Sequence, residues 1–169
     1  MKAVDNINEI IAKFLSNYGK VKVICSTEFE YNTTKDIISW SFLTSERQDR
    51  TFCDFFEREL KCPKCNSFIY SIFHEYGHKM TLGSFTELDW DLYQLNLDEL
   101  YGVCDGDERD YLYYHLPIEI AASQWAVNFI KLHYDEIVLW FNDIFTPAIN
   151  ELFHDDELAA LISELVEGE

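Results

Sequence analysis

Residues 73–79 read Phe-His-Glu-Tyr-Gly-His-Lys, and this stretch decides both the fold and the chemistry that the sequence predicts. It contains the pattern His-Glu-x-x-His inside an apolar run with helical spacing. On a helix, residues four apart lie on one face, so His74 and His78 can direct two imidazoles at one ion. Glu75 lies next to them, where a carboxylate can take a proton from zinc-activated water. The sequence therefore predicts a helix over residues 66–81 that carries two ligands and the base of a hydrolytic zinc site.

A plainer interpretation of this motif stays open. Five histidines and 31 acids in 169 residues can produce a pattern of three fixed positions by chance, with the histidines as surface or core residues. A hydrolytic zinc ion takes three protein ligands and keeps one open position. The zinc interpretation therefore needs a third ligand from elsewhere in the chain.

The third ligand has to come from outside the motif helix. A metzincin would continue with Gly and His three and six residues after the second His, but Thr81 and Ser84 occupy those positions. The remaining candidates are Glu119, His115, Glu87, Asp89, Asp91 and the acids of a loop predicted at 102–110. Glu119 is favoured because it opens an alanine-rich helix, predicted over 118–132 after Pro117, that could pack closely on the motif helix. An acid in a first turn can also be a simple partner of the helix dipole.

The two motifs together resemble a known family. His74-Glu75-Tyr76-Gly77-His78, followed by Glu119-Ile120-Ala121-Ala122, is similar to the pattern of the ImmA/IrrE-type zinc metallopeptidases, compact cytoplasmic proteins common in phages and mobile elements. The resemblance implies that His74, His78 and Glu119 hold zinc and that Glu75 is the general base. It also implies a protein or peptide substrate, for instance a mobile-element repressor. It covers the order of elements over residues 5–133 but only these two short motifs in actual residues.

Two more side chains are predicted to be catalytic. Cleavage of a peptide bond needs a donor that stabilises the developing oxyanion. His115 and Tyr114, together with Tyr111 and Tyr113, lie just before Glu119 and are the candidates for this role. Aromatic residues at such spacing commonly pack against one another, which is the competing interpretation.

The other segments predict an α+β fold in a single zincin-like domain over residues 1–169. A helix over 4–18 precedes strands at 21–25 and 37–42, which should form a small antiparallel sheet packed on a mainly helical domain. Residues 84–100 fit either a short helix or an extended cover. The C-terminal part is predicted to be helical and to end in an amphipathic helix over 155–166.

The acidic residues are concentrated in the second half of the chain. The first 80 residues hold eleven Lys/Arg and eleven Asp/Glu, whereas the rest holds only Arg109 and Lys131 against twenty acids, within a net charge of −18. Such a half repels phosphates, so direct binding of nucleic acid is not expected. It predicts a solvated face or a basic protein partner. The alternative function is therefore an acidic protein-binding or nucleic-acid-mimicking inhibitor on a zincin scaffold, with a structural or vestigial metal.

The cysteines and the apolar runs predict the cellular compartment and the relation to membranes. Five cysteines, without a recognisable export signal, predict reduced thiols in a cytoplasmic protein. The apolar runs are too short to span a bilayer, so no membrane association is expected. Cys62-Pro63-Lys64-Cys65 is interpreted as an ordinary reduced pair, with a structural zinc site or a redox pair as the alternatives.

Overall fold

A computed structural model describes residues 2–41, 46–103 and 106–153, so the helix predicted over 155–166 lies outside the described residues. The contacts divide the chain into two compact units, one of residues 1–43 with 133–169 and one of residues 44–132. The prediction of one domain over the whole chain stays a prediction.

The described residues are mainly helical, with one small sheet, which confirms the α+β class. In chain order the elements are α1 (Lys2–Leu15), β1 (Lys22–Cys25), β2 (Glu30–Asn32), β3 (Ile37–Trp40), α2 (Glu46–Asp54), α3 (Ser67–Thr81), α4 (Glu87–Val103), α5 (Gly106–Tyr114), α6 (Pro117–Leu132), α7 (Tyr134–Trp140) and α8 (Thr146–Phe153). Single π-helical turns follow α2 (Phe55–Glu59) and α7 (Phe141–Phe145), and a 3-10 turn (Leu82–Ser84) follows α3.

The sheet of the first unit is mixed, and the prediction of a purely antiparallel sheet is wrong. The order is β1-β3-β2, with β3 antiparallel to β2 and parallel to β1. A tight turn over residues 33–36 forces β2 and β3 to run in opposite directions. β3 is the central strand of the sheet, in keeping with the full burial of its side chains Ile38 and Trp40. β1 does not pair with β2, so it lies along the other edge of β3 in the parallel direction.

The first unit has its core between α1, the sheet and the C-terminal helices. Ile7 and Ile11 of α1 are fully buried. Trp40 of β3 donates a hydrogen bond from Nε1 to Asn8 Oδ1 of α1 at 2.7 Å. The Phe14 ring stacks on Trp140 of α7 with centroids 4.4 Å apart. An apolar stripe on α1 therefore contacts both the sheet and the last helices of this unit.

The second unit is built on the pair α3 and α6, with aromatic rings from α2 and its π-helical turn on one side. Phe56 and Tyr70 are fully buried and stack with centroids 5.0 Å apart. Phe73 of α3 packs on Phe129 of α6 at 5.1 Å. The helices predicted over 66–81 and 118–132 are thereby confirmed.

The acidic stretch between the two motifs is helical. The predicted loop at 102–110 is wrong, because α4 continues to Val103 and α5 begins at Gly106. Acids followed by glycine resemble a turn in composition, but acidic residues in a first helical turn are also favoured by the helix dipole. No helix among the described residues is both long and apolar enough to cross a bilayer.

Candidate metal centre

Helix α3 presents one face to the core and a histidine pair at its edge. Its first turn is capped by Asn66, whose Oδ1 accepts a hydrogen bond from Phe68 N at 2.9 Å. The core face carries the fully buried side chains Ile69, Ile72, Phe73 and Tyr76. His74 and His78 lie one turn apart, as the motif predicts.

Helices α3 and α6 approach each other until their backbones almost touch. A Cβ added to Gly77 would lie 2.9 Å from the carbonyl carbon of Ala122 and 3.1 Å from its Cα. Real Cβ atoms essentially never come so close to a backbone atom, so this crossing requires glycine at position 77. The predicted close packing of the alanine-rich helix on the motif helix is confirmed at Ala122, and Gly77 is its counterpart on α3. Because Gly77 lies between the two histidines, this crossing brings Glu119 to them.

The three predicted ligands converge. His74 Nε2 lies 3.0 Å from Glu119 Oε2, and His78 Nε2 lies 3.2 Å from the same oxygen. The two Nε2 atoms are 3.1 Å apart. Among the described residues, these three form the group of histidine, cysteine and acidic side chains that could hold a metal ion.

These distances fit one metal ion. Two ligands of a tetrahedral ion with bonds of about 2.0 Å lie about 3.3 Å apart. The separations between the nitrogen and oxygen atoms, 3.0 to 3.2 Å, are close to that value. Glu119 is only 1% exposed, so its charge is buried among partners and not solvated. The centre therefore has the donor set and spacing for a metal with two nitrogen ligands and one oxygen ligand.

The electrostatics of the centre favour a cation. Burial raises the pKa of Glu119, but hydrogen bonds from His74 and His78 outweigh burial and hold that pKa well below its usual range. Burial lowers the pKa of His78, but the hydrogen bond to Glu119 and the charges of Glu119 and Glu75 outweigh it and raise that pKa. Without metal the centre thus attracts a proton to a histidine nitrogen. A metal cation competes for the same nitrogen.

Ser123 holds the His74 ring, and the sequence analysis missed it. Ser123 Oγ lies 2.9 Å from His74 Nδ1, and Ser123 is fully buried. When Nδ1–H donates to this hydroxyl, the lone pair of Nε2 faces Glu119 and the metal position. The sequence feature that could have identified Ser123 is its position, four residues after Glu119 on an otherwise apolar helix face.

One tyrosine holds the other oxygen of Glu119, and a second tyrosine is hydrogen-bonded to the first. Tyr93 of α4 donates its hydroxyl hydrogen bond to Glu119 Oε1, while Oε2 faces the histidines. Tyr113 of α5 is hydrogen-bonded to Tyr93. Burial and the charge of Glu119 raise the pKa of both phenols well above the usual range, so both keep their protons and act as donors. The sequence analysis named Tyr113 only as a candidate oxyanion donor, and it missed Tyr93.

Glu75 lies close to His74, His78 and Glu119 and is not part of the group that could hold a metal ion. It is 8% exposed. Its negative charge contributes to the raised pKa of His78, Tyr93 and Tyr113, which places its carboxylate within electrostatic reach of all three. A carboxylate at the edge of a metal centre, adjacent in sequence to a ligand, is suited to proton transfer.

His115 and Tyr114 contact residues other than the three candidate ligands. His115 Nε2 is 2.9 Å from Glu59 Oε2, and its Nδ1 is 2.7 Å from the Tyr111 carbonyl oxygen, so both ring nitrogens have partners. Tyr114 stacks on Phe55 with centroids 5.5 Å apart. These contacts agree with the packing interpretation of the two residues. Their role as oxyanion donors stays a prediction.

Cys62 and Cys65 carry free thiols and belong to a packed turn. The backbone N–H of Cys65 donates to Tyr70 Oη at 2.7 Å, and that of Cys62 donates to the Phe56 carbonyl at 2.9 Å. Among the described residues, neither cysteine has the additional ligands that a zinc site requires. Burial raises the pKa of Cys62 to about 12 and that of Cys65 to about 11. Such thiols stay protonated at neutral pH, which favours the reduced structural pair.

Alkylation should confirm that these thiols are inert. The thiolate is the reactive form, and burial moves the pKa of Cys65 from 9.0 to about 11. At about pH 8, iodoacetamide is therefore expected to modify Cys65 about 100-fold more slowly in the folded protein than in urea. Peptide mapping by mass spectrometry measures both rates. Equal rates in the two states would mean that the pair is a reactive site.

The chain matches no protein-family model, no curated protein and no solved structure.

Proposed function

We propose that this protein is a zinc-dependent metallopeptidase with a zincin-like site. The observation that carries the proposal is the convergence of His74, His78 and Glu119 within 3.2 Å of one another, with Glu75 next to them. Two imidazoles and one carboxylate are a donor set typical of catalytic zinc, which keeps one position open. When bound, zinc supplies a Lewis acid that activates water and polarises a carbonyl group.

The residues of the chain divide the remaining work. Glu75 takes the proton of the attacking water and passes it to the leaving amine, as a positioned carboxylate can. Ser123 and Tyr93 keep His74 and Glu119 in their binding orientations through the hydrogen bonds at Nδ1 and Oε1. The resemblance of the two motifs to ImmA/IrrE-type peptidases supports a protein substrate, for instance a repressor of a mobile element.

A peptide library tests this function without a known substrate. The zinc-loaded protein is incubated with peptides derived from a bacterial proteome, and new termini are read by mass spectrometry. Glu75→Gln is expected to retain one zinc per chain and to cleave about 1,000-fold more slowly, because it keeps the shape but loses the base. His74→Ala is expected to lose both zinc and cleavage. Cleavage by Glu75→Gln at the wild-type rate would refute the proposed mechanism.

The residues that hold the ligands should tune zinc affinity. Ser123→Ala and Tyr93→Phe each remove one hydrogen bond to a ligand, so each is expected to weaken zinc binding about tenfold. Competition with a chromogenic chelator measures the affinity. Matched controls lie in the first unit, where Ser41 Oγ donates to the Thr27 carbonyl and Tyr31 Oη donates to Asp36. Ser41→Ala and Tyr31→Phe should leave zinc affinity unchanged. Unchanged affinity in Ser123→Ala would show that the His74 ring needs no such support.

A further inference from the structure

Helix α4 has two faces of different character. Its inner face holds Tyr93, which donates to Glu119 and thereby anchors the helix to the metal centre. Its outer face carries three leucines that point to solvent: Leu88 is 65% exposed, Leu92 48% and Leu95 55%. Because they are spaced i, i+4 and i+7, they form one continuous stripe. We name Leu88, Leu92 and Leu95 the leucine stripe.

The leucine stripe has the dimensions of a helix-docking surface. Its ends are seven residues apart, which corresponds to about 11 Å along the axis, or two helical turns. Single exposed leucines are ordinary on protein surfaces, whereas an aligned apolar row on one helix face marks an interaction site. An amphipathic helix commonly docks through such i, i+4, i+7 contacts.

Acidic side chains border the stripe. Glu87, Asp91 and Asp98 are exposed along one flank, and Glu99 is exposed at its C-terminal end. Helix α4 contains no lysine or arginine over its 17 residues. The border therefore presents negative charge to whatever covers the leucines. Charge complementarity selects a partner with basic side chains beside an apolar row.

Hydrogen bonds within the protein preorganise the leucine stripe for binding. The first turn of α4 is closed by a reciprocal pair in which Thr86 N donates to Asp89 Oδ2 at 2.7 Å and Asp89 N donates to Thr86 Oγ1 at 3.3 Å. Tyr93 fixes the middle of the helix from the inner side. A helix held at both points loses little freedom on binding, which favours affinity.

We propose that the leucine stripe and its acidic border dock a basic amphipathic helix of another protein. The same chemistry disfavours the two occupants that this chain could supply. A second copy carries a net charge of −18, and residues 154–169 hold six acids and no lysine or arginine, so both would bring like charge to the border. The proposal goes beyond the peptidase function and does not depend on Glu75.

A designed peptide probes this surface. The probe is a fluorescein-labelled helical peptide with leucines at i, i+4 and i+7 and lysines on both flanks. The comparison peptide has the same composition with its leucines spread around the helix. By fluorescence anisotropy at about 0.15 M salt, the full-length protein is expected to bind the probe at least tenfold more tightly than the comparison peptide. Glu75→Gln should bind it equally well, so loss of cleavage and loss of docking are distinguishable.

Substitutions on α4 test whether the leucine stripe is the surface that binds the probe. Replacing Leu88, Leu92 and Leu95 together by glutamine keeps a good helix former at exposed positions and should abolish the tenfold preference. Leu132→Gln, at a leucine of α6 that is 78% exposed, should leave it intact. Asp91→Asn with Asp98→Asn should weaken binding of the probe severalfold and reduce its salt dependence.

Three outcomes would overturn the proposal. Equal binding of the two peptides would show a non-specific charge effect. A preference that survives the triple glutamine variant would place the docking surface elsewhere. Self-association of the wild-type chain in sedimentation, lost in the triple glutamine variant, would show that a second copy covers the stripe.

Discussion

Gly77→Ala is expected to separate the two halves of the metal centre and to abolish zinc binding. The new Cβ would meet the carbonyl carbon and the Cα of Ala122, at 2.9 and 3.1 Å. These are backbone atoms, so no side-chain rotation relieves the collision and α3 must move away from α6. Alanine gains helix propensity of about 1 kcal/mol, but overpacking against backbone outweighs this gain. We expect a net loss of about 2 kcal/mol in the free energy of unfolding.

Two comparisons make this prediction specific. Gly83→Ala is the matched control, because a Cβ there meets nothing within 4 Å. It should change neither stability nor zinc affinity appreciably. Ala122→Gly should fail to rescue Gly77→Ala, because it removes a methyl group and leaves the colliding backbone in place. Chemical denaturation and zinc titration measure the two effects. Normal zinc affinity in Gly77→Ala would mean that this helix crossing does not position Glu119.

The ligand triad could be predicted because each step depends on local geometry. The spacing of His74 and His78 places them on one helix face whatever the rest of the fold does. Glu119 could be singled out because the small side chain of Ala122, three residues later, permits the approach of a second helix. The structure confirms this approach through the contact of Gly77 with Ala122.

The residues that orient the ligands could not be predicted, because they depend on tertiary packing. Tyr93 reaches Glu119 only if α4 is a helix lying over the centre, and residues 84–100 fitted two structures equally. The signal that could have decided between them is Thr86-Glu87-Leu88-Asp89, a capping box that the structure shows closed. The parallel pairing of β1 with β3 likewise depends on which strand is most buried, which alternation alone does not reveal.

Helix α4, which lies in the acidic second half of the chain, has two faces with different proposed roles. The inner face contributes a neutral phenol, Tyr93, whose hydrogen bond holds the buried carboxylate of Glu119. The outer face contributes the charges that border the leucine stripe. One helix thus connects the proposed metal chemistry with the proposed docking surface. If α4 were only a solvated acidic helix, it would need neither the hydrogen bond from Tyr93 to Glu119 nor a row of aligned leucines.

Glu119→Gln is expected to lower zinc affinity at least about 100-fold while the fold is retained. Glutamine keeps the shape of the side chain and can still hydrogen-bond Tyr93, but it removes the negative charge that both histidines face at 3.0 and 3.2 Å. The pKa of His78 should fall, since the hydrogen bond and charge of Glu119 are what raise it against burial. Glu119→Ala should in addition destabilise the metal-free protein by about 3 kcal/mol, because it leaves buried polar partners unpaired.

Glu75→Gln is the matched comparison, because it removes a buried carboxylate from the same site without removing a ligand. Zinc content after gel filtration should be close to one per chain in Glu75→Gln and far below it in Glu119→Gln. Titration of the His78 ring by NMR in the metal-free proteins should show the larger fall in pKa for Glu119→Gln, because the hydrogen bond and charge of Glu119 act on His78 more strongly than the charge of Glu75. Full zinc retention by Glu119→Gln would show that the third ligand is another residue. Loss of zinc from Glu75→Gln would show that Glu75 is itself a ligand, and its role as the base would then have to be abandoned.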